Sequence, residues 1–359
     1  MTEGIKDSVY MKPVTYADSG VDIKKEDAAV RSIVSVISGT FANRKGKIGE
    51  VKSRIGHFAN FIDIGDKYIV MCTDGVGTKV LIAQMARKFD TVGIDMMAMN
   101  VNDIICTGAE PIALVDYLAV EKIDNDMVLE LSKGIRDGAN DAGVAVIGGE
   151  TASLKGVITG VGGMGFDLAG TSIGVVDKDK VVLGDNIQAG DKVIGIASSG
   201  LHSNGYSLAR KVVLGKYKLE DKFPWGVSVA DELLRPTKIY VKPVLDVLSK
   251  YRGSVTGLCH ITGGGLMNLK RLNGNAGFRL SDLMDALPIF SEIKKVADIA
   301  DEEMYKTFNM GMGFVVVCRE ESARGVMNIL EKHDLACKVV GEVTGDKGVV
   351  EVPKLNLKF

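Results

Sequence analysis

Apolar positions along this chain fall into two rhythms. In "EDAAVRSIVSVISGT", residues 26–40, Val30, Ile33, Val34 and Ile37 recur at helical spacing. In "KYIVMCTDG", residues 67–75, a short apolar run ends in a turn, as a buried strand does. The same reading carries through the first half. "TKVLIAQMARKF" is an amphipathic helix, and "VGIDMMAMNVNDIICTGAEP" is a second helix that ends at Gly108 and Pro111. "IALVDYLAV" is a strand, and "DNDMVLELSKGIRDGANDAG" is a helix that closes at Gly143. "VAVIGGET" is a strand with a glycine turn, followed by the strand "AGTSIGVVD".

The texture changes at 177–192, where "DKDKVVLGDNIQAGDKV" is charged and rich in turns. A domain boundary is expected there, giving domains 1–177 and 178–359. The second half restarts with the strand "VIGIASSG" and the helix "YSLARKVV". A long helical region follows "RPTKIY", and "HITGGGLMNLKRL" is a turn into a further helix. "FVVVCRE" is a strand, "ARGVMNILEKHD" a helix, and "CKVVGEVTG" and "GVVEV" are closing strands. Strands alternate with helices but also occur in adjacent pairs. That pattern predicts an α+β protein, with mixed sheets packed by helices, over a purely parallel wound sheet.

Composition narrows the class. The chain has 359 residues, 46% hydrophobic and 25% charged, with a net charge of −2. A nearly neutral chain has no field to draw in nucleic acid or an anionic membrane. No apolar run approaches the roughly 20 residues of a spanning helix, and "MTEGIKDSVY" does not read as a signal peptide. A cytoplasmic location is the expectation. Five cysteines are scattered without a C-x-x-C pair, so they read as buried thiols rather than zinc ligands or disulfides. The 43 glycines cluster at the ends of apolar runs. Such turns expose backbone N–H groups that cradle oxyanions.

Candidate chemistry follows from those turns. "TDGVGTK" is not the phosphate loop G-x-x-x-x-G-K-[ST], because its glycines are misplaced. Asp74, at the end of its strand, suits a Mg²⁺ site, which takes a few carboxylates with waters and phosphate oxygens. Gly75, Gly77 and Thr78 would let phosphate approach, and Lys79 would neutralise it. The plainer alternative is a tight turn with a solvated lysine. Asp95 opens the next helix, Asn102 lies seven residues on, nearly on the same face, and Asp103 adjoins it. Helix capping by Asp95 is the competing role. Glu150 follows Gly148 and Gly149 just past a strand, a third acidic group in such a turn. In the second half "SSGLHSNGYSLAR" offers Ser199, Gly200, His202, Ser203 and Asn204 ahead of a helix. "HITGGGL" offers Thr262, Gly263 and Gly264 as a nest of N–H groups. The basic stretch "FANRKGKIGEVKSR" reads as a mobile solvated loop, with a lid over phosphates as the sharper alternative.

Together, "YADSGVDI", "TDGVGTKV", "GIDMMAMNVNDIICTGAEP", "GGETA", "ASSGLHSNGYSLARK", "RPTKIYV", "HITGGGL" and "MYKTFNMGMG" resemble the aminoimidazole ribonucleotide synthetase family, in order from Tyr16 to Gly313. The resemblance implies a two-domain α+β fold and a homodimer whose interface barrel uses part of the N-terminal sheet. It implies ATP-dependent ring closure of formylglycinamidine ribonucleotide in purine synthesis, by phosphorylation of the formyl oxygen and attack of the ring nitrogen. Asp74, Asp95 and Glu150 would then serve Mg²⁺ and ATP, with Asn102, Asp103, Gly148 and Gly149 near the nucleotide. Asp74, Lys79, His202 and Asn204 would act in catalysis. The "SSGLHSNG" and "TGGG" turns would hold the substrate. Two stretches depart from the family pattern: "KIGEVKSRIGHFANF" replaces a longer glycine-rich run, and "SLKGVITGVGGMGF" replaces Glu-Met-Pro-Gly after "GGETA". The homologous amidotransferase-dependent synthetase one step earlier in the pathway, or another kinase or synthetase of the superfamily, is the alternative.

Overall fold

The computed structural model describes residues 23–272 and 275–359; "YADSGVDI" therefore lies outside the described residues except for Ile23. The first half contains strands β1 (Glu50–Val51), β2 (Asn60–Asp63), β3 (Lys67–Gly75), β4 (Glu110–Val120), β5 (Ala145–Ser153) and β6 (Phe166–Asp177). They form one sheet in the order β1-β2-β3-β6-β4-β5. Only β4 and β5 run parallel, joined by helix α4 (Asn125–Ala142); the other pairs are antiparallel.

Helices α1 (Ile23–Ile37), α2 (Val80–Ala86) and α3 (Asp90–Ile105) complete this half. Helix α3 is apolar nearly all round, so it is buried between the sheet and its neighbours. It meets α4 backbone to backbone: a Cβ on Gly134 would stand 1.8 Å from the Asp90 carbonyl oxygen, so only glycine permits this approach.

The second half contains β7 (Lys192–Ala197), β8 (Val255–His260), β9 (Gly277–Arg279), β10 (Met312–Cys318), β11 (Cys337–Thr344), β12 (Val350–Val352) and β13 (Leu357–Lys358). These form a second mixed sheet, ordered β13-β12-β9-β11-β7-β10-β8. The strands β8 and β10 are buried along their whole length. Helices α5 (Tyr206–Leu214), α6 (Val229–Leu233), α7 (Val241–Tyr251), α8 (Pro288–Ala297), α9 (Asp301–Thr307) and α10 (Ala323–Lys332) pack around it.

Several expectations are corrected. Helix α3 starts at Asp90, so Asp95 lies inside the helix and caps nothing. "GGET" is not a turn; β5 runs straight through it, because β4 pairs with it from Ala145 to Ser153. The segment after "TGGG" is a 3₁₀ helix, Gly265–Arg271. The basic stretch contains β1, which pairs with β2 and ties part of it to the sheet edge. The apolar side of α1 is where the period puts it, but Val30, Ile33 and Val36 are solvent-exposed. Cys106, Cys259 and Cys318 are buried, and Cys72 and Cys337 are partly so.

The two halves meet along a polar seam. Lys79 has no exposure and pairs with the equally buried Asp95 at 2.7 Å. Its ammonium also donates to the carbonyls of His202 (3.1 Å) and Arg235 (2.6 Å). Asp95 accepts from the Thr237 backbone N–H and hydroxyl. About two turns further along the same helical face, Asn102 donates to the Lys238 carbonyl and accepts from the Tyr240 N–H. Burial alone pushes the Lys79 amine down, and Asp95 opposes that push. Removing one partner of such a pair leaves an uncompensated buried charge, which costs about 3–5 kcal/mol. Asp95→Ala is therefore expected to lower unfolding free energy by about that amount, and adding Lys79→Met is expected to restore part of it. Denaturant titration of the single and double variants checks this; losses that simply add would mean that the pair is not coupled.

Candidate functional site

Asp74 ends β3 on the helix-bearing face of the first sheet. Its backbone is gripped on both sides by Asn100 of α3: the Asp74 N–H donates to Asn100 Oδ1 (3.1 Å), and Asn100 Nδ2 donates to the Asp74 carbonyl (3.0 Å). Its carboxylate accepts from the Gly75 N–H at 2.7 Å. Burial, reinforced by the nearby charge of Asp103, raises the Asp74 carboxyl from 3.8 to about 6. Two carboxylates thus share a confined space from which water is largely withdrawn.

Asp103 is fixed from the other half of the chain. His260, at the end of β8, is fully buried, and its Nδ1 lies 2.9 Å from the Asp103 carboxylate. Its Nε2 faces the Asn102 amide nitrogen at 3.4 Å. A neutral ring that donates from Nδ1 and accepts at Nε2 satisfies both contacts. Asp103 is therefore oriented, and its second oxygen is left for another partner.

The other expected metal ligands lie elsewhere. Asp95 is consumed by Lys79 and Thr237. Glu150 pairs in register with Tyr117 and is exposed. The adjoining row, Asp74–Gly170–Asp116–Gly149, shares one face, because residues directly opposite in a sheet point the same way. Glu150, one residue on, points to the opposite face from Asp74. The three carboxylates do not converge. Among the described residues no three His, Cys, Asp or Glu side chains gather as a metal site.

Lys79 is likewise no surface charge, since it is buried in the seam. Asn102 is fully buried and committed to the Lys238 and Tyr240 backbone, so its reach to a nucleotide is closed off. His202 adopts a left-handed φ of +63°. Its Nε2 accepts from the Ser199 N–H, and burial drives its ring well below the ordinary histidine value. A neutral, enclosed imidazole shapes the turn; it is not placed to exchange protons with solvent.

Three glycine-bearing turns do come together. Gly77 faces the Ser203 carbonyl, so that a Cβ on this glycine would stand 4.0 Å from that oxygen, and the Thr78 hydroxyl lies 3.3 Å from that of Ser207. A Cβ on Gly263 would stand 3.1 Å from Asn204 Oδ1. Gly264 has a φ of +99°, which turns the chain at the mouth of the 3₁₀ helix, with Thr262 just before it. Ser199 and Ser203 hydroxyls are held by the Pro236 carbonyl and the Thr237 hydroxyl. Asn309 fastens the turn from behind, accepting from the Ser198 hydroxyl and donating to the Gly200 carbonyl. A Cβ on Gly200 would stand 3.4 Å from the Arg235 side chain, whereas Gly75 ends β3 against Leu168 and Ala169, and Gly148 and Gly149 lie on β5 at the sheet edge.

Asn100, His260 and Asn309 hold parts of this candidate site in place, and residue-by-residue reading does not single them out. The last two stand inside "HITGGGL" and "FNMGMG", so the motifs contain them; Asn100 is hidden among apolar neighbours in "MMAMN".

The N-terminal model of AIR synthase related proteins matches residues 56–176, and the corresponding C-terminal model matches residues 188–353. A phosphoribosylformylglycinamidine cyclo-ligase of Methanococcus maripaludis strain C5 is 50% identical over 332 residues, 92% of each chain. The enzyme of the same name from Thermococcus kodakarensis is 47% identical over 94% of this chain and 97% of its own. Among solved structures, thiamine-monophosphate kinase from Stenotrophomonas maltophilia superposes with a TM-score of 0.61 at 19% identity, covering 89% of this chain and 96% of its own. PurL of T. maritima, complexed with FGAR, has a TM-score of 0.58 at 19% identity over 89% of this chain and 48% of its own. These structures share the two-sheet architecture. With both domain models matched and cyclo-ligases half identical along nine-tenths of its length, the chain belongs to the AIR synthase family.

Proposed function

We propose that the chain is an ATP-dependent cyclo-ligase that closes the imidazole ring of formylglycinamidine ribonucleotide, giving aminoimidazole ribonucleotide, ADP and phosphate in the cytoplasm. The observation that carries this reading is near-50% identity to cyclo-ligases over 92% of both chains. The geometry supports it. Ring closure needs the formyl oxygen turned into a phosphate leaving group, and such chemistry asks the protein mainly for positioning and charge neutralisation.

Asp74 and Asp103 are the carboxylates that fit Mg²⁺. They are close enough to repel, Asp74 is largely withdrawn from water, and a cation between them relieves both penalties. Magnesium is commonly held by one or two carboxylates, with substrate phosphates and waters completing its shell. This replaces the trio of Asp74, Asp95 and Glu150. When bound, Mg²⁺ neutralises phosphate oxygens and steadies the charge that develops on them. His260 keeps Asp103 aimed, and Asn100 keeps Asp74 aimed. Backbone N–H groups of the turns at 75–78, 199–204 and 262–264 are the oxyanion donors for nucleotide and ribonucleotide. The functional division runs near residue 177, with the metal carboxylates on the first domain and most of the substrate turns on the second.

A homodimer through the first sheet is part of the same reading. The sheet face away from α3 carries Met71, Val115 and Tyr117, each about 40% exposed (42%, 38% and 43%). Val115 aligns with Thr171 and Thr73, and Tyr117 with Ala169, so these side chains form one continuous patch. Glu150 stands on that face, beside Tyr117.

Purified protein supplied with formylglycinamidine ribonucleotide and Mg²⁺–ATP is expected to yield ADP and aminoimidazole ribonucleotide in equal amounts; folded protein that forms neither would overturn the assignment. Asp74→Asn is expected to abolish that turnover. It is also expected to stabilise the metal-free protein. Because the folded carboxyl titrates at about 6 against an ordinary 3.8, its burial costs nothing below pH ~4, and the cost grows to about 3 kcal/mol as pH rises through the folded value. Melting temperatures of wild type and variant should therefore coincide in acid and diverge in favour of Asn at pH ~8. A variant less stable at the higher pH would refute the buried-carboxylate account. Tyr117→Glu with Val115→Glu is expected to convert a dimer into a monomer in analytical ultracentrifugation; an unchanged sedimentation coefficient would place the interface elsewhere.

A further inference from the structure

Arg271 ends the 3₁₀ helix that begins at the glycine nest. Its guanidinium carbon lies 4.5 Å over the ring of Phe58, on the loop that enters β2, so it reaches from the second half of the chain to the first. Stacking on an aromatic face holds a guanidinium plane in one orientation without using its N–H groups. Among the described residues, the Arg271 guanidinium has neither a hydrogen bond nor an ion pair. A rigid fork of five donors thus stands uncommitted where the two halves of the chain touch, over Phe58.

The groups that feel its charge locate it. Arg271 draws the Asp74 carboxyl down and does the same to the thiols of Cys106 and Cys259. It also disfavours a charged His57, the residue beside Phe58, whose ring meets that phenyl ring edge-on at 5.3 Å. Both His57 nitrogens are buried without a partner. Among the described residues the neighbourhood therefore holds the Asp74 and Asp103 carboxylates, the His57 and His260 rings, and the exposed Arg271, which is paired with neither carboxylate. Carboxylates that fit a metal and an unpaired guanidinium within reach of the same space suit an anion that is shared between a metal and an arginine.

We propose that Arg271 is a catalytic residue that binds a phosphoryl group at the domain junction, with Phe58 as the platform that aims it. The proposal rests on the ring-closing reading given above. Two phosphates of that reaction share the chemistry: the group that leaves ATP for the formyl oxygen, and the 5′-phosphate of the ribonucleotide. Nearness to Asp74 favours the transferred group.

The test is steady-state kinetics of Arg271→Gln and Arg271→Lys beside wild type, with melting temperatures measured in parallel. For the transferred group, Gln is expected to lower kcat by about 10²–10³-fold with both KM values within about threefold, since such a contact tightens in the transition state. Lys, which keeps the charge but not the fork, is expected to fall between the two. For the ribose phosphate, the KM for the ribonucleotide alone is expected to rise at least about tenfold with kcat retained. Guanidinium ion added to Arg271→Ala is expected to recover activity, which a purely structural arginine would not show. Kinetic constants within twofold of wild type in the Gln variant would overturn the proposal. So would losses that follow a lowered melting temperature and resist rescue. If wild type does not turn over, the ring-closing reading fails by itself. Calorimetric binding of tripolyphosphate then tests Arg271 directly: at least about tenfold weaker binding by Arg271→Gln upholds phosphoryl binding, and equal affinity overturns it.

Discussion

A lysine shut away from water needs an answer to its charge, and here Asp95 supplies it at 2.7 Å. That requirement sets much of the remaining architecture. The ammonium has further donors to satisfy, and it finds them in the carbonyls of His202 and Arg235, which belong to the other half of the molecule. The turn at 199–205 and the segment 235–240 are thereby held against helix α3. His202 is kept in a left-handed conformation that a non-glycine residue adopts only when its surroundings impose it. The walls of the junction are therefore set before any ligand arrives, which is the condition for electrostatic preorganisation.

Much of this is legible in the sequence, and the limits are physical. Periodicity places most helices and strands, because burial of one face repeats at 3.6 or 2 residues. The seven-residue step from Asp95 to Asn102 correctly reads as one helical face. What periodicity does not carry is what covers that face. A solvated lysine and a lysine sealed by Asp95 have the same letters around them, so Lys79 and Asp95 read naturally as site charges. Glu150 shows a second limit. Two glycines before it suggest a turn, yet apart from one irregularity at Ile147 β4 pairs with this segment as far as Ser153, and pairing overrides local preference. Strand pairing then decides the face on which a side chain emerges, a matter of one residue that no motif records.

The site itself illustrates a division between finding and aiming. Asp74 is conspicuous, since a carboxylate at a strand end in a glycine setting advertises itself. Asn100, His260 and Asn309 are not, because they work through backbone atoms or through another side chain that the fold brings to them from elsewhere in the chain. Residues of this kind become visible only when their partners are in place. The resemblance to the AIR synthase family points to strings of sequence; geometry shows which residues within them touch one another.

The seam has one further property. Lys79, Asp95 and Asn102 of the first half address mainly main-chain groups of the second: the carbonyls of His202, Arg235 and Lys238 and the N–H groups of Thr237 and Tyr240. A joint made to carbonyls and amides follows the path of the opposing chain and is largely indifferent to its side chains. The side chains of Arg235 and Lys238 are thus free to drift over evolutionary time while the joint stays intact, provided that the trace is kept; those of Thr237 and Tyr240 are not, since the Thr237 hydroxyl also serves Asp95 and both residues are buried. The opposite side has no such freedom, for each of its three polar residues answers several groups at once. Divergence along this boundary is accordingly uneven, with the lettering on the first half held and that on the second released only where a residue lends the joint its main chain alone.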